Sequence, residues 1–207
     1  MSTPQIPALK GDGKGVYRVV IHGNSGTGKT TLADALAKIL NVPAIHLDEI
    51  HWHPDWVQAT PEEFVSNLNK IQRDAEATNS GWVIDGNYET KTKAMMDDYA
   101  TDIIYLGTGL DPPFYKYFPR ALLRTFRRLL GWEKTCAPGC EETWRECFFS
   151  KDSIILWVIT HHRTAKERYG PRCEQDNVAN GGKWRRLGDI DEQTEWLDQV
   201  SHYLKSA

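Results

Sequence analysis

Lys29 and Thr30 close the stretch Gly23-Asn24-Ser25-Gly26-Thr27-Gly28-Lys29-Thr30, whose spacing, G-x-x-x-x-G-K-[ST], is suited to holding phosphate. Glycines at 23, 26 and 28 can take positive φ and let the backbone come close to a ligand. Successive N–H groups, those of Asn24, Ser25 and Thr27 among them, then form a nest for anionic oxygens. Lys29 can set an ammonium on the outer phosphates, the Thr30 hydroxyl can ligate Mg²⁺, and Thr31 follows directly behind. A helix beginning near Lys29 would aim the positive end of its dipole at the same oxygens. This chemistry calls for ATP and Mg²⁺ as cofactors.

Two carboxylates are placed to complete such a site. Asp85 follows the apolar run Trp82-Val83-Ile84 and, paired with a phosphate loop, stands where an acid holds the Mg²⁺ ion, partly through water. Asp48 follows the short run Ala44 to Leu47, at what would be the carboxyl end of a second strand, where ligands gather in open α/β sheets. It can orient or deprotonate an acceptor hydroxyl, or simply cap the next turn.

Beyond these lie features that chemistry could use. Arg120, Arg124, Arg127 and Arg128 share a face of the amphipathic stretch from about Pro119 to Leu130, opposite Leu122, Phe126 and Leu129. Guanidinium groups make bidentate contacts to phosphate, so Arg124 and Arg128 are candidates to neutralise a transferring phosphoryl group; the alternative is a solvated basic face. Trp52, Trp56 and neighbouring histidines read as an aromatic wall beside a substrate pocket. His46, His51 and His53 have no metal-ligand spacing, and Cys136, Cys140 and Cys147 do not form paired zinc knuckles, so neither group is read as a metal site.

The elements that must position these residues are legible in the periodicity. Val16 to His22, Ala44 to Leu47, Trp82 to Ile84, Asp102 to Leu106 and Trp184 to Leu187 read as short buried strands. Between them, helices are predicted over Thr31 to Leu40, Pro61 to about Thr78, Lys91 to Tyr99, Pro119 to Leu130, Thr143 to about Tyr169 and Asp191 to Lys205. Strands alternating with helices imply a five-stranded parallel sheet covered on both faces, in three layers. Residues 1–15 are rich in Pro and Gly and read as a flexible arm ahead of a single domain, 16–207. At 207 residues, 40% hydrophobic and 26% charged, with a net charge of −3, the chain has the make-up of a soluble globular domain. No whole-molecule field draws it to nucleic acid or an anionic membrane. No apolar run has transmembrane length and no signal-peptide core is present, so the expected location is cytoplasmic, with the four cysteines as thiols.

The chain resembles the adenylate-kinase-like P-loop NTPases, in particular the branch labelled DNA topology modulation (FlaR-like) proteins. The resemblance rests on GNSGTGKTTLA, HLDEIHWHPDW, WVIDGNY, RALLRTFRR, APGC and FSKDSIILWVITHHR, in that order, and covers about Tyr17 to Leu204. It implies a nucleotide-kinase-like α/β/α fold, MgATP binding and a helical lid at about 113–150. Adenylate kinases carry D-G-F-P-R after the third strand; here Asp85-Gly86 is followed by Asn87-Tyr88 with no arginine, so AMP is not carried over as acceptor.

Together these readings point to a phosphotransferase that moves the ATP γ-phosphoryl group to an unidentified small acceptor. The rival class is a nucleotide-dependent switch acting on DNA or a protein, and a third is an inactive nucleotide-binding scaffold. An arginine that arrives on lid closure acts in the transition state, so Arg124→Ala should lower kcat about tenfold or more with Tm nearly unchanged, while the surface control Lys70→Ala does neither. Equal behaviour of Arg124→Ala, Arg128→Ala and the control in steady-state kinetics would reduce the stripe to a wet helix face.

Overall fold

Strand β1 (Tyr17–Gly23) is buried over its last five residues, so it needs partners on both edges and cover on both faces. The computed structural model provides both. It describes residues 6–78, 81–92, 95–107, 118–130, 132, 135, 137–140 and 154–206. After β1 come α1 (Lys29–Leu40), β2 (Ala44–His46), α2 (Leu47–His51), β3 (Trp52–His53), β4 (Val57–Gln58) and α3 (Pro61–Thr78). Then follow β5 (Gly81–Asp85), α4 (Glu89–Thr92), α5 (Met95–Tyr99), β6 (Asp102–Leu106), α6 (Phe118–Leu129), α7 (Ile154–Gln175), β7 (Trp184–Leu187) and α8 (Ile190–Ser206). Five of the strands form one parallel sheet in the order β2-β5-β1-β6-β7.

Alternation along β1 decides which helices cover which face. Val19 and Ile21 pack with Leu32 and Leu36 of α1 and with Trp196 and Val200 of α8. Val20 points the other way, into a cluster with Phe64 and Leu68 of α3 and Tyr169 and Cys173 of α7. The result is an α/β fold with a five-stranded parallel sheet and helices on both sides. From β1 the chain goes to one side for β2 and β5, then crosses to the other for β6 and β7. Such a reversal opens a crevice at the carboxyl ends of the strands. The register brings Ile21 beside Asp85, and Asp85 beside His46, at that end.

Local signals explain several boundaries. Thr60 and Glu63 form a reciprocal capping box at the start of α3: the Thr60 N–H donates to Glu63 Oε2 at 2.9 Å and the Glu63 N–H to Thr60 Oγ1 at 3.2 Å. Gly81 opens β5 at φ 136°, and a Cβ there would come within 2.0 Å of the Tyr17 carbonyl oxygen, which leaves room for glycine alone.

The structure departs from the sequence reading in five places. Leu47 starts a helix instead of ending β2, and Trp52 to Gln58, where no strand was expected, is a small antiparallel hairpin. The helix expected over Lys91 to Tyr99 is two shorter ones, α4 and α5. Helix α7 runs past Tyr169 and through Pro171, because Tyr169 and Cys173, one turn apart, are both buried against the sheet. The part of the expected 113–150 lid on either side of α6, apart from Trp132, Thr135 and 137–140, lies outside the described residues, as do the side chains of Arg120 and Arg124.

Finally, the flexible-arm reading of 1–15 does not extend to 7–11. Leu9 is 1% exposed, and the backbone N–H groups of Lys10 and Gly11 donate to the Asp102 carboxylate at 2.7 and 3.0 Å. The carbonyls of Pro7 and Ala8 accept from Arg185 and from Trp196 Nε1. Composition suggested looseness, but a buried carboxylate at the head of β6 needs donors and the arm supplies them. Asp102→Ala should therefore cost about 3 kcal/mol in urea denaturation, since bonds to a charged group are lost, and should open the chain near Lys14 to limited proteolysis. An unchanged midpoint and cleavage pattern would contradict the docking.

Candidate active site

The loop between β1 and α1 closes on itself. The Asn24 carbonyl accepts from the Thr27 hydroxyl at 2.8 Å, from Lys29 Nζ at 2.9 Å and from the Thr27 N–H at 3.4 Å. Gly28, at φ 93°, is the N-cap of α1 and provides no capping side chain, and the first turn of the helix holds no acid. The opening N–H groups of α1 therefore carry no side-chain cap, which is the state in which a helix start receives an anion. Gly23, Asn24 and Thr27 are buried, Ser25, Gly26, Gly28, Lys29 and Thr30 are half-buried, and Thr31 is exposed. From the neighbouring helix on the same face of the sheet, Gln193 Nε2 of α8 donates to the carbonyls of Thr27 at 3.3 Å and Gly188 at 3.1 Å, bracing the loop.

Asp85 meets this loop directly. Thr30 Oγ1 donates to Asp85 Oδ2 at 3.0 Å, so the two groups predicted to hold Mg²⁺ are adjacent. A hydroxyl and a carboxylate beside a phosphate nest are a hard-oxygen donor set that suits this ion. The other carboxylate oxygen accepts from His46 Nδ1 at 2.5 Å, and His46 Nε2 lies 3.2 Å from Asp34 of α1. Chiefly through the hydrogen bond to Asp85, and against the effect of burial, the His46 imidazole is pushed up to about 9. It is therefore a cation at neutral pH, and it offsets the charge of a carboxylate only 6% exposed.

Asp48 is exposed on α2 and accepts a hydrogen bond from Tyr88 Oη at 2.6 Å. Behind it lies an aromatic group in which His51 is 4.6 Å from Tyr88 and 4.5 Å from Trp52, ring centre to ring centre. Phe64 stands 5.2 Å from Tyr88, and Trp52 packs edge-on to Trp56 at 5.4 Å. His51 Nδ1 lies 3.0 Å from Lys91 Nζ and accepts a hydrogen bond from it, while Lys91 also donates to the Ala59 carbonyl at 2.6 Å. Burial first, then the Lys91 charge, hold the His51 imidazole down at about 4, so it is neutral at physiological pH. His53 lies apart, 4.0 Å from Glu63. Trp52, Trp56, Phe64, His51 and Tyr88 thus form one aromatic group, with His51 and Tyr88 at its centre.

Beneath β1, His22 is fully buried and stacked on Tyr169 at 4.4 Å. Its Nδ1 donates to the Gly86 carbonyl at 3.1 Å, and its Nε2 lies 2.8 Å from Asp97. Burial pulls the Asp97 carboxyl up, but the His22 hydrogen bond and the nearby Arg172 outweigh it and leave it below the usual carboxylate range. His22, Glu89 and Asp97 could each offer a ligand atom to one ion. Arg172, however, pairs with both Glu89 and Asp97, and Arg168 lies 4.0 Å from Glu89. The cluster is charge-balanced and ties α7 to β1.

Of the arginine stripe, Arg127 is exposed and Arg128 half-buried on α6. Sequence reasoning passed over Asn87, Tyr88, His22, His46 and Gln193. The segment Asp85-Gly86-Asn87-Tyr88 was the available signal, because it departs from the adenylate-kinase pattern just after the acid expected to hold Mg²⁺.

A family model for the ATPase family associated with various cellular activities (AAA) matches residues 19–84, from within β1 to the end of β5. No curated protein matches the chain in sequence. Among solved structures, an unliganded sugar kinase from Janibacter sp. HTCC2649 is 15% identical with a TM-score of 0.51, over 93% of this chain and 96% of that one. A gluconokinase from Sinorhizobium meliloti 1021 is 14% identical with a TM-score of 0.48, over 92% of each chain. At these identities the similarity is one of fold.

The neutral state of His51 yields a pH prediction. Its folded pKa, about 4, lies below the ordinary value of 6.5, so the unfolded chain takes up a proton first as pH falls. This contribution to stability is complete above pH 6.5, declines as pH drops toward 4, and is fully lost below that. His51→Gln, which keeps an acceptor for Lys91, should show a smaller fall in Tm than wild type between those two pH values. Parallel Tm–pH curves would contradict it.

Proposed function

We propose that this chain is an ATP-dependent phosphotransferase that moves the γ-phosphoryl group to a hydroxyl of a small acceptor bound near Asp48. One observation carries the reading: the loop hydroxyl of Thr30 and the strand-end carboxylate of Asp85 are 3.0 Å apart, beside an uncapped helix start. Gly23 to Thr31 would cradle the triphosphate, with Lys29 turning from the Asn24 carbonyl to the outer phosphates. Thr30 and Asp85 would hold Mg²⁺, which when bound supplies charge neutralisation for the transferring group. Phosphoryl transfer is largely positioning and electrostatics, so this set suffices when an acceptor oxygen is aligned. Asp48, with Tyr88, would orient that oxygen, and the aromatic wall of His51 and Trp52 would cover the acceptor's apolar face. Arg124 and Arg128 would meet the phosphoryl charge from α6. The sequence likeness to the DNA topology modulation branch fits the same nucleotide chemistry and names no acceptor.

ADP release from MgATP, measured alone and with nucleosides, nucleoside monophosphates, sugars and other small hydroxy compounds, tests the proposal. Stimulation by one acceptor class is expected; stimulation by DNA alone, falling steeply with salt, would replace it by a nucleic-acid-dependent ATPase. Asp48→Asn should depress acceptor-dependent turnover more than ATP affinity, whereas Asp85→Asn should raise the Mg²⁺ concentration required. Equal shifts in Mg²⁺ dependence would contradict this division. Lys29→Ala should weaken MgATP binding or transfer about ten- to hundredfold with the fold intact.

A further inference from the structure

The ladder between β1 and β5 ends at Ile21 and Asp85, with the Gly86 N–H donating to the Ile21 carbonyl. In a parallel pair, alternate residues of a strand turn both backbone groups to the same neighbour. Gly23, two residues beyond Ile21, therefore faces the side on which β5 has already ended. Its polar groups are buried and would lack partners there. The Asn87 side chain fills the gap. Its Oδ1 accepts from the Gly23 N–H at 3.2 Å, and its Nδ2 donates to the Gly23 carbonyl at 2.6 Å. A carboxamide has the donor and acceptor of a peptide group, so Asn87 adds one more rung to the ladder from a side chain.

That rung lies at the first residue of the phosphate loop. A Cβ at Gly23 would come within 2.9 Å of Leu106 and 3.0 Å of Thr27 Oγ1, so the backbone there is closely packed. The residues flanking Asn87 are also held. The Gly86 carbonyl accepts from buried His22, and Tyr88 Oη donates to Asp48. Asp48 is thus connected to Gly23 through two adjacent residues, Tyr88 and Asn87.

We propose that Asn87 is a positioning residue that sets the mouth of the phosphate loop through Gly23 and, with Tyr88, links the Asp48 pocket to nucleotide binding. This deepens the phosphotransfer reading and rests on it. Asn87 need touch neither substrate. An acceptor that takes Asp48 from the Tyr88 phenol would act on the loop along the same two residues, giving a reciprocal coupling between the two pockets.

MgADP titration by calorimetry, with Tm recorded on the same samples, tests this. Asn87→Ala should bind MgADP about tenfold more weakly, since both bonds to Gly23 are lost. Asn87→Asp keeps an acceptor for the Gly23 N–H but sets a carboxylate oxygen against its carbonyl, and should also bind more weakly. It carries the test if Asn87→Ala does not fold. Tyr88→Phe, which frees Asp48, should weaken MgADP binding about threefold in the wild-type background and have no effect on top of the Asn87 variant. A lowered Tm with unchanged MgADP affinity would make Asn87 a structural residue only and overturn the proposal. Additive effects of the Tyr88 and Asn87 substitutions would overturn the link to Asp48. If wild type binds MgADP and both Asn87 variants bind equally well, this inference falls and the phosphotransfer reading stands. If wild type does not bind it, both fall.

Discussion

Asp85 is a nearly buried carboxylate at the end of a parallel strand, and a buried charge survives only with partners. It takes one from the phosphate loop, Thr30, and one from the neighbouring strand, His46. His46 in turn lies against Asp34 on the helix that follows the loop. Strand β5, strand β2, the loop and α1 are thereby joined through one side chain. The four residues after it continue the pattern. Gly86 is held by His22, Asn87 by Gly23, Tyr88 by Asp48 and Glu89 by Arg172. Five consecutive residues are thereby tied to the loop, to Asp48 and to the buried cluster beneath β1, so the geometry of the site depends on where β5 stops.

The other face of the sheet supports this arrangement from below. His22 and Asp97 form a buried pair capped by Arg172, against the rings of Tyr169 and Trp184. Lys183 donates to the carbonyls of Asp97 at 2.5 Å and of Asp98 and Ala100 at 3.4 Å, closing the end of α5. Such networks are costly when half-satisfied and rigid when complete. This one fixes α7 against the strand that carries the phosphate loop, and it explains why α7 tolerates Pro171: packing and ion pairs on both sides of that residue outweigh one missing backbone bond.

Around His51 and Tyr88 the side chains are aromatic, and part of the surrounding structure comes from far along the chain. The Asp55 N–H donates to the Gly139 carbonyl at 3.1 Å, and Cys140 Sγ donates to the His53 carbonyl at 3.2 Å. Gly139 sits so close to Pro54 that a Cβ there would meet it at 2.9 Å. Asp55 and Trp56 hold positive φ at the hairpin tip, a conformation that side chains adopt only when contacts on both sides impose it. The hairpin and residues 137–140 therefore form one surface, and Cys140 is spent on a backbone contact within it.

The sequence by itself determined the phosphate loop, the strands flanking it, the layered α/β class and the pairing of Thr30 with Asp85. These are short-range matters: glycine spacing, β-branched runs and helical periodicity act within a few residues. Even the capping box at Thr60 and Glu63 could be read directly. Tertiary structure decided everything that depends on residues distant in the chain. Asp102 needs donors, and only the fold brings Lys10 and Gly11 to it. His46 looked like one of three neighbouring histidines, yet strand pairing sends it to Asp85 while His51 turns to Lys91. Asn87 and Tyr88 stood out only as a departure from the adenylate-kinase pattern, because nothing local shows that β5 ends one rung short of Gly23. A hydrogen-bonding side chain acquires its role from the unpaired group opposite it, and that group is set by register and packing.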